Sequence, residues 1–100
     1  MSQEEIISKV KQAIETDPDK DYIQSVSLFG SFLHGNTKSD SDVDLFFEQR
    51  KAMGYFKLFD IQQRLKEKLG CEVDLVPKDS LDKYIRDEII AEGKKIYEHE

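Results

Sequence analysis

The chain reads as an α/β domain, and three observations carry that reading. β-favouring runs near residues 22–29, 42–47 and 72–76 alternate with stripes of apolar residues at helical spacing. The apolar period switches from about 3.6 to 2 and back along the chain. Turn-forming residues fall between the periodic segments, at Pro18, Gly30, Gly70, Pro77 and Gly93.

From Glu4 to Ile14 the apolar residues Ile6, Ile7, Val10, Ala13 and Ile14 predict a first amphipathic helix, and Asp17-Pro18-Asp19 is a turn that stops it. Tyr22 to Phe29, with Ile23, Val26, Leu28 and Phe29, predicts a buried strand ending at Gly30. In the second strand Val43, Leu45 and Phe47 alternate with Asp42, Asp44 and Phe46, giving one face for a core and one that begins with acid. A long helix follows, with Leu58, Ile61, Leu65 and Leu69 as its stripe, Phe56 and Phe59 widening it, and Gly70 as its stop. Glu72 to Val76 repeats the strand alternation, Val73 and Leu75 flanking Asp74. Strand, helix and strand imply a right-handed crossover if the two strands are parallel. Leu81, Tyr84, Ile85 and Ile89 predict a last helix that Gly93 ends, and Lys95-Ile96-Tyr97 suits an edge strand.

One hundred residues without an internal repeat or linker fit a single domain, residues 1–100, with one modest core and one site. A hydrophobic fraction of 38% and a charged fraction of 36% describe a folded, soluble chain. Met1-Ser2-Gln3-Glu4-Glu5 places acid where an export signal carries basic charge, and the apolar runs are too short for a membrane span. Cys71 is the only cysteine; it is read as a small buried hydrophobe, and its solitude fits a reducing cytoplasm. Fifteen basic against twenty-one acidic residues leave a net charge of -6, which opposes direct nucleic-acid binding and favours a basic protein partner or a metal-bridged phosphate.

The stretch from Val26 to Phe47, VSLFGSFLHGNTKSDSDVDLFF, holds the chemistry. Asp42 and Asp44, at i and i+2 on a strand, share a face about 6.6 Å apart at about 3.3 Å per residue, a spacing suited to divalent metals. Asp40, Asp42 and Asp44 mimic the start of a calcium loop, but its required Gly falls on Leu45 and its bidentate Glu on Lys51. Gly30, Gly35 and Thr37 have the spacing of a phosphate-cradling Walker loop, but Asn36 replaces its Lys. A merely solubilising acidic turn does not account for Asp74. Two strands carrying acid among apolar neighbours are unfavourable together unless a cation compensates them.

Gly30-Ser31, ten residues, then Asp42-Val43-Asp44, with Asp74 in a later Val-Asp-Leu-Val strand, resemble the nucleotidyltransferase superfamily of DNA polymerase beta fold. The small size, Val73-Asp74-Leu75-Val76-Pro77 and the Ile85-Arg86-Asp87-Glu88-Ile89 to Ile96-Tyr97-Glu98 tail are similar to the minimal nucleotidyltransferase (MNT) antitoxins in particular. The resemblance implies an α+β form of the fold, a small mixed β-sheet flanked by helices. It also implies an antitoxin that pairs with a HEPN-domain ribonuclease toxin in a hetero-oligomer and transfers AMP from ATP to a tyrosine of the toxin.

By the same resemblance Asp42 and Asp44 bridge two Mg²⁺ ions, Asp74 holds the catalytic metal near the acceptor hydroxyl, and Gly30 and Ser31 position the triphosphate. Gly30 admits phosphate because it has no Cβ, and Ser31 offers a hydroxyl and an N–H. His34 stands where many relatives have a basic residue, and both a solvent-facing and a phosphate-contact role are open to it; Lys38 is a further candidate contact. His99 is read as inert. Phe46, Phe47, Phe56 and Phe59 are read as core rather than as a base-stacking platform, and Tyr22, Tyr55, Tyr84 and Tyr97 as structural rather than as self-modification acceptors. Two alternatives stand beside the protein adenylyltransferase: a non-catalytic module that blocks the toxin by contact, and a transferase acting on an antibiotic or other small hydroxyl compound.

Overall fold

A computed structural model describes residues 2–30 and 42–100. Ser2 opens the first helix, α1 (Gln3–Glu15): its Oγ accepts the Glu5 N–H at 3.2 Å, so one of the orphan donors of the first turn is satisfied. Ile6, Val10, Ala13 and Ile14, spaced three and four apart, are buried along one stripe. After the turn at Asp17-Pro18-Asp19, a short 3₁₀ turn (Lys20–Tyr22) leads into β1 (Ile23–Phe29). The second strand, β2 (Val43–Gln49), is followed by α2 (Tyr55–Leu69), which stops at Gly70 in the left-handed conformation, φ 72°. Next come β3 (Val73–Pro77), a 3₁₀ turn (Lys78–Ser80), α3 (Arg86–Glu92) and β4 (Lys94–Glu98).

The strands form one mixed sheet in the order β3-β2-β1-β4. Both β2 and β4 run antiparallel to β1, whereas β3 runs parallel to β2, as a strand reached through a crossover helix does. The last strand is an edge strand, as its sequence suggested.

Val43, Leu45 and Phe47 of β2 are at most 2% exposed and share a core with Ile6, Val10, Ile61, Leu65 and Val26. One sheet face therefore packs on α1 and α2. A polar bracket ties these helices together: Asp17, 4% exposed, accepts Arg64 Nε at 2.8 Å and Arg64 Nη2 at 3.1 Å. Arg64 also reaches Asp19 at 2.8 Å, and Lys57 reaches Asp19 at 3.2 Å while its ammonium lies over the Tyr22 ring. Burial alone would raise the Asp19 carboxyl, but the hydrogen bonds from Lys57 and Arg64 outweigh it and hold Asp19 below its ordinary range.

Several expectations need correction. Phe56 and Phe59 are 90% and 57% exposed, so of Phe46, Phe47, Phe56 and Phe59 only the first two are buried. Rotation about α2 explains it: Ile61, Leu65 and Leu69 point to the sheet, and Phe56 falls on the far side of the helix. The last helix begins at Arg86 rather than near Leu81, and Tyr84 and Ile85 stand exposed before it. Cys71 is half-buried against the core rather than inside it, and burial pushes its thiol up. His99 is tied to the body of the domain: its Nε2 lies 3.0 Å from Asp21 Oδ1, and its backbone N–H donates to the Gln24 carbonyl at 2.8 Å.

Candidate active site

Three strands bring one row of residues together. Phe29, the last residue of β1, is the register partner of Asp44 in β2, and Asp44 is the register partner of Asp74 in β3. Side chains opposite one another on neighbouring strands point to the same face, so Asp44 and Asp74 share a face, their backbones about one strand spacing of 4.8 Å apart. The alternation that buries Val43, Leu45 and Phe47 on the helix side turns Asp44 to the other face, as its sequence pattern required. Asp42, two residues earlier, lies just before β2 and is exposed; Asp74 is exposed as well. Ser31, His34, Lys38 and Asp40 lie outside the described residues.

Asp44 is the half-buried member of the three. Burial raises its carboxyl pKa first, and the charges of Asp74 and then Asp42 push in the same direction. Both influences disfavour the charged carboxylate at Asp44.

Gly30 stands against this carboxylate. Its φ of 76° lies in the left-handed region, and a Cβ placed there would overlap Asp44 Oδ2 and lie 3.1 Å from Asp44 Cγ. The glycine is thus required twice, by its backbone and by the closeness of Asp44. Sequence reasoning assigned its bareness to phosphate alone.

Beneath the acids, Phe46 is 5% exposed on the same face, outside the main core, with its ring 5.7 Å from that of Phe29. Gly93 presses on it: a Cβ there would sit 2.7 Å from Phe46 Cε2. Gly93 does end α3, yet its φ of -60° is open to any residue, so the small side chain serves the close approach to Phe46. Alternation alone could not find this contact, because α3 and β4 reach it from the far end of the chain.

Among the described residues, no group of three or more His, Cys, Asp or Glu is placed to hold a metal ion by itself. The donors that are present suit a different arrangement. Magnesium is commonly held by one or two carboxylates and completes its shell with water and substrate phosphates. Asp42, Asp44 and Asp74 offer hard oxygen donors only, the chemistry that such a shell uses.

The polymerase beta, nucleotidyltransferase family model matches residues 8–100. The chain belongs to the polymerase beta nucleotidyltransferase family. Among relatives of this nucleotidyltransferase is the protein adenylyltransferase MntA of Thermococcus cleftensis, 33% identical over 70 residues that make up 70% of this chain and 71% of that protein. The fold is shared with a chain from a crystal structure of a toxin–antitoxin with AMP-PNP, with TM-score 0.74, 22% identity and coverage of 94% of this chain and 74% of that one. It is shared also with a chain of the tri-AMPylated Shewanella oneidensis HEPN toxin in complex with MNT antitoxin, with TM-score 0.68, 20% identity and coverage of 97% and 73%. The mixed sheet and the flanking helices of the nucleotidyltransferase thus bear out the fold and family that the Gly-Ser and Asp-x-Asp spacing implied. Among the described residues, no helix of the nucleotidyltransferase is long and apolar enough to cross a membrane.

Proposed function

We propose that this chain is an antitoxin that transfers AMP from ATP to a tyrosine hydroxyl of a HEPN-domain ribonuclease toxin. The observation that carries the reading is the register of Asp44 and Asp74 on adjacent strands, with Asp42 two residues upstream and Gly30 against Asp44. The adenylyltransferase relative supports the transferred group, and the neighbour bound to AMP-PNP supports ATP as donor. The AMPylated HEPN toxin seen with its MNT antitoxin supports the acceptor and a hetero-oligomeric assembly.

In this reading residues 1–100 act as one nucleotidyltransferase domain in the cytoplasm, where ATP is available. Asp42, Asp44 and Asp74 would hold two Mg²⁺ ions, which supply charge neutralisation at the attacking and leaving oxygens of an in-line displacement. Asp74, exposed on the outer strand, accepts a hydrogen bond from the incoming tyrosine hydroxyl and orients its oxygen toward the α-phosphorus. A new oxygen–phosphorus bond forms as the bond to the β-phosphate breaks; pyrophosphate leaves, and the hydroxyl proton passes to Asp74 or to water. Gly30 and Ser31 would position the triphosphate, Ser31 through its hydroxyl and N–H.

The test incubates the chain with Mg²⁺, α-labelled ATP and its HEPN partner. Label on a toxin tyrosine, lost with Asp42→Asn and Asp44→Asn, is the expected result. Full neutralisation of the toxin by those variants, with no AMP mass on it, would instead establish a module that blocks by contact.

A further inference from the structure

Asp74 sits on β3, which lies at the sheet edge and is paired on one side only. The Val43 N–H donates to the Glu72 carbonyl at 2.9 Å, which sets the alternation of the ladder. In a parallel pair with that register the Asp74 carbonyl turns toward β2, and the next N–H, that of Leu75, turns toward the open edge. Leu75 is 3% exposed, so its N–H cannot rely on bulk water. It donates instead to Gln62 Oε1 of α2 at 3.0 Å. Gln62 is half-buried and follows Ile61, which is fully buried, so the amide is carried on a well-anchored turn of helix.

The consequence concerns one peptide plane. The Asp74–Leu75 unit is gripped from β2 through its carbonyl and from α2 through its N–H. Held on both sides, this plane fixes the stretch of β3 backbone that carries the Asp74 Cβ. We infer that Gln62 is a positioning residue for the nucleotidyl-transfer site, clamping the Asp74–Leu75 peptide so that the Asp74 carboxylate stays in register with Asp44. The inference rests on the reading of Asp74 as a metal-binding residue. The same bond closes the edge of β3 against pairing with another strand, a role that would be purely structural.

Three variants separate the two roles. Gln62→Met keeps the length of the side chain and removes the acceptor; Gln62→Glu keeps an acceptor; Asp74→Asn reports on the underlying reading. Each is measured for Mn²⁺ affinity by electron paramagnetic resonance, with AMP-PNP present, and for exchange of the Leu75 amide. The expected result is a loss of about ten-fold in Mn²⁺ affinity with Gln62→Met, the usual scale for a residue that orients a ligand. Faster Leu75 exchange accompanies it, Gln62→Glu restores affinity to within about two-fold, and Gln62→Met adds nothing in an Asp74→Asn background, as residues acting through one another require. Unchanged Mn²⁺ affinity in Gln62→Met, with a loss in Asp74→Asn, overturns the positioning role and leaves edge closure. Unchanged affinity in Asp74→Asn overturns the metal-binding reading itself, and the Gln62 inference with it. Should Gln62→Met fail to fold, Gln62→Asn, shorter by one methylene, is read by the same criteria.

Discussion

Asp44 and Asp74 are register partners on adjacent parallel strands, and Asp44 carries the burden of that pairing: burial first, then the charge of Asp74, raise its carboxyl pKa. Such an arrangement costs the free protein stability when Asp44 is charged. It is the structural basis for the first prediction.

Asp44→Asn is expected to abolish AMP transfer and yet raise the melting temperature of the metal-free protein at pH 7. The sign follows from linkage. The folded carboxyl has a pKa above its ordinary value of 3.8, so the protonated form favours the fold. That contribution is fully present below about pH 3.8 and is lost as pH rises through the higher folded value. The gain from Asp44→Asn should therefore be present at pH 7 and shrink as the pH is lowered through that window, measured by thermal melts in a chelator. Adding Mg²⁺ should stabilise the parent protein more than the variant.

Gly30→Ala tests the contact with Asp44. A methyl at φ 76° is strained and would displace the Asp44 carboxylate. Transfer activity should fall by about 10²-fold, the scale of a misplacement near 1 Å, and stability by about 1 kcal/mol or more. Kinetics and a urea melt read the two effects separately.

Arg64→Met should destabilise by about 3 kcal/mol, because Asp17, 4% exposed, loses the guanidinium that holds both of its oxygens. The double variant Arg64→Met with Asp17→Leu should recover part of the loss. A denaturant midpoint lower in the double variant than in the single one would show that the bracket does not act as a pair.

Phe56→Ala should change stability by less than about 0.5 kcal/mol, since the ring is 90% exposed. On the same helix Leu65→Ala, at a residue 1% exposed, should cost about 2 to 5 kcal/mol. Equal costs for the two would mean that Phe56 is covered in solution.

Most of the fold was legible because its elements follow local rules. Ile6, Val10 and Ile14 mark a helix by spacing alone; Val43, Leu45 and Phe47 mark a strand; Gly70 stops α2 by adopting φ 72°, which few other residues accept. Phe56 and Phe59 misled because periodicity identifies a stripe but not its width, and the sheet covers only the side of α2 that holds Ile61, Leu65 and Leu69. The start of α3 was misplaced because Leu81 and Ile85 have helical spacing, whereas the 3₁₀ turn after Pro77 and the hydrogen bond from the Tyr84 N–H to Asp82 hold the chain in turns as far as Ile85.

Sequence alone determined the acids: Asp42, Asp44 and Asp74 are read from strand alternation, since an i, i+2 pair on a half-buried strand has only one face open to it. Tertiary structure decided how they meet. Only the parallel pairing of β2 with β3 puts Asp74 beside Asp44, only the turn at Gly30 brings a bare Cα against that carboxylate, and only α2 packing delivers Gln62 to the Leu75 N–H. These contacts join residues 13 to 30 positions apart, and such separations are set by register and packing density rather than by any local preference of the chain.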